Sequence, residues 1–206
     1  MPKITDLSPQ KGKKDRVSVF LNGNFVCGLQ TLTMLQHRLK IGDEITLDAL
    51  EAIQLESDVG AAFERAVNYL SSRLKSEKEL GDYLKGKGYM PKVVEAVIAK
   101  LKEYRYLDDV FLTESYIRTY SNNSGKIKLK FDLSRKGISK DIIEKALQQM
   151  EPNEDACLRI AQKYMNNKEH NKQTFIKLSR HLAGRGFEFE KINKCIKQIS
   201  DMDLEE

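Results

Sequence analysis

Apolar residues follow two rhythms along this chain, a short alternation up to about residue 47 and a helical spacing after it. Val17-Ser-Val-Phe-Leu21 and Phe25-Val-Cys-Gly-Leu29 flank Asn22-Gly23. That dipeptide suits a type I′ hairpin because both central residues must take positive φ. A short helix at about 31–39 and a third strand at Glu44–Leu47 complete a small β-rich cap. Met1–Arg16, with four lysines, two prolines and one arginine, reads as a loose arm. From Asp48 onward Val59, Ala62, Phe63, Ala66, Val67, Leu70 and Leu74 fall on one helical face.

A longer pattern then sets the architecture. Leu80, Leu84, Gly88, Val94, Ile98 and Leu101 return 49 residues later as Leu129, Leu133, Gly137, Ile143, Leu147 and Met150. After 49 more they are Leu178, Leu182, Gly186, Ile192, Ile196 and Ile199. A fixed period in this range predicts stacked supersecondary units that present a long surface rather than a single pocket. Ser76 and Glu79 form a capping box, and the register carries the cap position to Gly125 and Thr174. Gly88, Gly137 and Gly186 end these helices, where a residue without Cβ takes the left-handed conformation at low cost. A further helix follows each glycine at about 91–103, 140–150 and 189–199, and leading helices start near Asp108 and Asn153.

The predicted fold is therefore all-α, an elongated row of three tandem three-helix repeats with a small N-terminal β-hairpin cap. The expected divisions are an arm and cap at 1–47 and repeats at 48–106, 107–151 and 152–206. One window conflicts with this. Ile127, Leu129, Phe131 and Leu133 alternate with polar residues as a strand would. The register assigns Leu129 and Leu133 to an i, i+4 helical pair, and agreement among three units outweighs one short window.

Composition narrows the function. Hydrophobic content of 40% supports cores and 32% charged residues keep the surface solvated. No run of 18 apolar residues or signal-like segment appears, so the expectation is a cytoplasmic protein with no membrane partner, read as a monomer. Cys27, Cys157 and Cys195 never pair as C-x-x-C, and the last two occupy apolar helical positions, as free thiols in a reducing compartment do. The net charge of +5 is unevenly spread. Residues 41–60 hold six acids and no Lys or Arg, whereas 159–197 hold ten bases against three acids and 126–145 seven against three. This segregation points to a polyanionic partner.

Catalytic chemistry is not indicated, and no cofactor or metal is expected. Gly81-Asp-Tyr-Leu-Lys-Gly-Lys87-Gly88 departs from a phosphate-binding loop at its last position, where Gly88 replaces the magnesium-binding hydroxyl, and it lies within a helix. His37, His170 and His181 are scattered, with no zinc spacing. Asp108-Asp109 reads as an N-cap and a first-turn acid. The candidate site is instead cationic. Lys87, Lys136 and Arg185 recur just before the repeat glycine, where they either complement a helix C-terminus or form a row of cations. Lys126, Lys128, Lys130 and Arg135, with Lys172, Lys177 and Arg180, are less easily explained by capping, and read either as a plain solvated face or as a phosphate-binding one. Such residues bind phosphates without base specificity, so the partner they predict is single-stranded DNA, held weakly. Tyr104, Tyr106, Tyr116 and Tyr120 could stack on bases, but their spacing assigns most of them to the core.

Several segments in order resemble the RecX family, the regulatory proteins of the RecA recombinase. They are Ala66-Val-Asn-Tyr-Leu-x-x-Arg-Leu-Lys-Ser76-Glu-Lys-Glu-Leu80, Tyr83-Leu-x-x-Lys87-Gly-Tyr89, Tyr106-Leu-Asp-Asp109-x-Phe111 and Leu133-x-x-Lys136-Gly-Ile138. The resemblance covers about residues 55–200, and Arg105 stands where the family often has glycine. It implies tandem three-helix repeats and no enzymatic activity. It also implies binding to RecA and RecA–DNA filaments, with inhibition of recombinase, ATPase and coprotease functions in recombination, DNA repair and the SOS response. A stand-alone, sequence-independent single-stranded nucleic-acid-binding protein is the competing expectation from the basic residues alone.

Overall fold

In a computed structural model, which describes residues 1–13, 15–150 and 154–202, three strands precede ten helices. Strands β1 (Ile4–Pro9), β2 (Arg16–Leu21) and β3 (Asn24–Gln30) form an antiparallel sheet in that order. Asn22 and Gly23 take φ of 48° and 85°, the two positive values that the type I′ turn demands. Residues Ile4–Pro9 form strand β1 rather than part of a loose arm. Ile4 is 1% exposed and pairs with Leu21, and the Lys3 and Asn22 backbones exchange bonds with Asn22 Oδ1 and Lys3 O at 3.1 and 3.0 Å. The third strand expected at Glu44–Leu47 is absent, because β1 already covers that edge and Glu44 makes only an isolated bridge to Lys3. Thr46 instead caps the next helix, accepting from the Ala49 N–H at 3.2 Å. The short helix α1 (Thr31–Gln36) ends before its expected limit, at a turn where Arg38 has φ of 53°.

The chain packs as two compact units, Met1–Leu74 with Leu80–Leu107, and Lys75–Glu79 with Asp108 onward. In the first, Ile4, Val19, Leu21, Cys27 and Leu29 from the sheet bury against Leu50 and Ile53 of α2 (Leu47–Leu70). A second cluster joins Ala62 and Ala66 of α2 to Leu80 and Leu84 of α3 (Glu77–Gly86) and to Val94, Val97 and Leu101 of α4 (Pro91–Glu103).

In the second unit, α5 (Asp109–Tyr120), α6 (Lys126–Arg135) and α7 (Lys140–Gln149) enclose Leu112, Ile117, Leu129, Leu133, Ile143 and Leu147. Helices α8 (Glu154–Met165), α9 (Lys172–Gly184) and α10 (Phe189–Met202) repeat the arrangement around Leu178, Leu182 and Ile192. Cys157 and Cys195 are free and lie in this core, where burial pushes the Cys157 thiol up to about 12.

The repeat glycines act as predicted. Gly88, Gly137 and Gly186 have φ of 88°, 83° and 78°. Past each, an N–H reaches back to the helix: Tyr89 to Leu84 O, Ile138 to Leu133 O and Phe187 to Leu182 O, at 3.3, 3.2 and 3.3 Å. With the glycine N–H groups bonded one position inside, at 2.8–2.9 Å, this is the Schellman pattern that satisfies terminal carbonyls. The strand-like window 127–133 is helical, as the register requires. Ser76 and Glu79 form their capping box, at 3.1 and 3.0 Å. Thr174 is not an N-cap. Helix α9 starts one turn earlier because Asn171, a stronger cap than Thr, accepts from the Thr174 N–H at 3.0 Å. Asp108 caps α5 through the Val110 and Phe111 N–H groups, at 2.8 and 3.0 Å. The cap expected at Asn153 lies outside the described residues.

Candidate functional site

Helix α6 is where cations accumulate. Leu129 and Leu133 fix its buried stripe at 0% exposure. At about 3.6 residues per turn the opposite side must carry Ile127, Phe131 and Arg135, with Lys130 on one flank and Lys128 on the other. Ile127 and Phe131 are 57% and 60% exposed, so half of the apolar residues that suggested a strand face solvent. Arg135 lies 5.9 Å from the Phe131 ring centroid, a cation–π distance. Lys128 pairs with Asp132 at 3.4 Å and Lys130 with Glu144 at 3.1 Å. The Lys130–Glu144 bridge is exposed at both ends, and such pairs contribute about 0–1 kcal/mol, so Lys130 can exchange its carboxylate for a phosphate, whereas Asp132 is half-buried and holds Lys128 from its more exposed side. Lys126 has no hydrogen-bond or ion-pair partner among the described residues. Asp132 is held from behind by the Tyr116 hydroxyl, which donates to Oδ2 at 3.1 Å. Burial and that carboxylate push Tyr116 up to about 12.

On α9, Lys172, Lys177 and Arg180 are exposed, and their side chains have no hydrogen bond or ion pair to any described residue. Arg180 holds the same register position on α9 that Phe131 holds on α6. Lys87 belongs to the first unit, exposed, 5.5 Å from the Tyr83 ring centroid. A cavity of about 360 Å³ beside Lys126 is lined by Lys191 and Lys194 but also by Asp155, Glu188 and Glu190, so it does not extend the cationic face.

Two of the candidate cations serve a different purpose. Lys136 Nζ meets Glu79 Oε1 at 3.0 Å, and the Ser76 hydroxyl donates to the Lys136 carbonyl. The Glu77 N–H donates to Asp109 Oδ1 at 2.9 Å, a role for Asp109 beyond the helix dipole. Burial raises the Glu79 carboxyl, but the Ser76 amide and Lys136 outweigh it and hold the group below its ordinary value. Forty-nine residues on, the contact recurs: Gly125 N–H donates to Arg185 O at 2.8 Å, and Ile127 N–H to Gly186 O at 3.1 Å. The Arg185 side chain is spent on His181 Nε2 and Asn123 O, each at 3.2 Å. Lys136 and Arg185 thus build joints within the second unit, where the start of one middle helix meets the glycine turn of the next. Their spacing of 60 residues, Ser76 to Lys136 and Gly125 to Arg185, was a usable sequence signal.

The tyrosines were misassigned. Tyr104, Tyr106 and Tyr120 are 52%, 61% and 46% exposed, and only Tyr116 is half-buried in the core of its repeat. They lie at helix ends, where the helical period no longer predicts burial. The glycine-rich stretch at 81–86 is helical and ends in the Gly88 turn, so it cradles no phosphate. Among the described residues no group of His, Cys, Asp and Glu could hold a metal ion, and no helix is long and apolar enough to cross a membrane.

A small antiparallel sheet followed by tandem three-helix repeats, with a cationic outer helix, defines a class of helical-repeat protein. The RecX first three-helix domain matches residues 62–101, the second three-helix domain 108–147, and the Regulatory protein RecX N-terminal domain 2–46. The likeness therefore extends over the cap, beyond the 55–200 legible in the motifs. Regulatory protein RecX of Bacillus pumilus is 37% identical, with all of this chain and 81% of the relative covered. That of Clostridium acetobutylicum is 34% identical over 95% of both chains. A crystal structure of regulatory protein RecX superposes with a TM-score of 0.70 at 25% identity, covering 96% of this chain and 100% of the other. RecX from Lactobacillus salivarius gives 0.64 at 28% identity over 69% of this chain and 97% of that one. The chain belongs to the RecX family of regulatory proteins.

Proposed function

We propose that this protein binds RecA and RecA–DNA filaments and inhibits their recombinase, ATPase and coprotease activities, acting as a monomer in the cytoplasm. The observation that carries this reading is family membership over nearly the whole chain, cap included. The repeat register adds a physical reason. Units built alike offer similar contacts more than once, and several weak contacts to successive filament protomers combine into firm binding. Inhibition then follows from bridging protomers and blocking the change in filament pitch, or from capping the growing end. Lys126, Lys128, Lys130 and Arg135 on α6, Lys172, Lys177 and Arg180 on α9, and Lys87 supply the DNA-facing cations. Lys136 and Arg185 contribute by holding the joints.

The exposed cations of α6 also favour a second reading, a stand-alone single-stranded nucleic-acid-binding protein. Cosedimentation separates the two. On the first, the protein pellets with RecA–DNA filaments at salt concentrations that strip it from naked single strands, because protein contacts are less sensitive to counterion release. Equal salt sensitivity with and without RecA would leave only the second.

A further inference from the structure

Phe131 is a large aromatic side chain on the most cationic helix of the chain. It sits diametrically opposite the buried Leu129–Leu133 stripe, in the middle of the outward face of α6, and is 60% exposed. Its immediate surroundings are cationic: Lys130 precedes it, Lys128 and Arg135 lie a turn away on either side, and Lys126 is near the helix start. Ile127, one turn back, is also exposed. Solvation of this face gains nothing from two exposed apolar residues one turn apart. A face meant for an apolar protein groove would not flank its aromatic residue with Lys128, Lys130 and Arg135, all exposed. A partner matching both features needs flat, unpaired π surfaces attached to a chain of negative charges, which is single-stranded DNA with its bases unstacked.

The geometry points to Phe131 as a base-stacking platform, with Lys128, Lys130 and Arg135 holding the flanking phosphates. The inference rests on the reading that α6 meets DNA and adds what distinguishes a single strand from a duplex. Phosphate contacts alone accept either form, whereas a protruding ring finds a free base only in the single strand. Arg135 near the ring strengthens the platform, since a guanidinium can follow a base on the same aromatic face. The repeat register places Arg180 at the equivalent outward position on α9, suited to a phosphate.

The sequence contains eight tyrosines but no tryptophan, so Phe131→Trp in the full chain, excited at the red edge where tyrosine does not absorb, gives a tryptophan emission signal from this position alone. Titration with an oligothymidylate of about 20 nucleotides should quench it, and a fully paired hairpin of equal charge should not. Phe131→Ala should weaken single-strand binding by fluorescence anisotropy at least about fivefold, the lower end for loss of one stacked base. Its dependence of affinity on salt should be unchanged, because the phosphate contacts remain. Phe131→Tyr should bind like the parent. Circular dichroism confirms folding, which an exposed position does not threaten. Unquenched emission while anisotropy reports binding, or an alanine variant that binds like the parent, overturns the stacking role and leaves the cationic face intact. If the parent binds no oligothymidylate even at low salt, the DNA-facing reading of α6 falls and the stacking role with it.

Discussion

Gly125→Ala adds one methyl group, and the structure gives that methyl a large effect. Gly125 has φ of −78° and ψ of 167°, which alanine adopts without strain, so backbone conformation is not the obstacle. Alanine is a poorer N-cap than glycine, but by less than about 1 kcal/mol. The obstacle is space: a Cβ at this position collides with the Gly186 carbonyl and the Phe187 nitrogen. Both are backbone atoms and cannot rotate aside. Relief requires the joint to open, which breaks Gly125 N–H to Arg185 O at 2.8 Å and Ile127 N–H to Gly186 O at 3.1 Å. Overpacking costs about 1–3 kcal/mol, and each backbone bond contributes about 1 kcal/mol net. The overpacking and the two lost bonds together give an expected destabilisation of about 3–5 kcal/mol. A domain of about 100 residues loses at least about 4 °C of Tm per kcal/mol, so melting of the second unit should fall by at least about 12 °C. Gly86→Ala is the matched control. A Cβ there meets nothing within 4 Å, and removing a helical glycine adds about 0.5–1 kcal/mol. Urea and thermal unfolding followed by circular dichroism, with hydrogen exchange to localise the loss to α8–α10, measure both variants. A Gly125→Ala protein melting with the parent would refute the joint as described.

Other consequences are open to measurement. Arg105 ends α4 with φ of 57° in the same hydrogen-bonded turn that the repeat glycines make, Tyr106 N–H reaching Leu101 O at 2.9 Å. Arg105→Gly removes a strain of about 1–2 kcal/mol and adds about 0.4–1 kcal/mol of unfolded-chain entropy, so stability should rise by a net of about 0.5–1 kcal/mol, read as a higher urea midpoint. Glu79 is held below its ordinary carboxyl value of 4.5, so the stability it contributes is present above that pH and lost as pH falls through its lowered value. Glu79→Gln should therefore flatten the acid-side decline in stability and lower stability at pH 7. Replacing Lys126, Lys128, Lys130 and Arg135 together by Glu should reduce both DNA affinity and the slope of affinity against salt, and an unchanged slope would mean these side chains are only solvated.

The elements were legible because they are written locally. Asn22-Gly23 specifies its turn through two positive φ values, and the Leu–Leu–Gly register specifies the α3, α6 and α9 ends through burial on one face. It even overrode the misleading alternation at 127–133. What escaped depends on partners far away in sequence. β1 looks like a loose arm until Ile4 finds the sheet core and Lys3 meets Asn22. Thr174 matched the register, but Asn171 competes for the same cap three residues earlier. Lys136 and Arg185 read equally well as surface cations or helix-end charges, since nothing local reveals that their carbonyls receive Ser76 and Gly125. Phe131 was counted only as a term in an alternation, although a helix that buries Leu129 and Leu133 must turn Phe131 outward.

One titration tests filament regulation most directly: ATP hydrolysis by RecA on single-stranded DNA, with this protein added in increasing amounts to preformed filaments. Hydrolysis should fall at well below one copy per RecA protomer, since a protein that bridges protomers or caps an end needs few copies. Leu133→Asp places an unpaired charge at a position with 0% exposure, a change that costs several kcal/mol, and should abolish the inhibition. Hydrolysis unaffected at equimolar protein, or suppressed only when enough is present to coat the free DNA, would contradict the role of filament regulator.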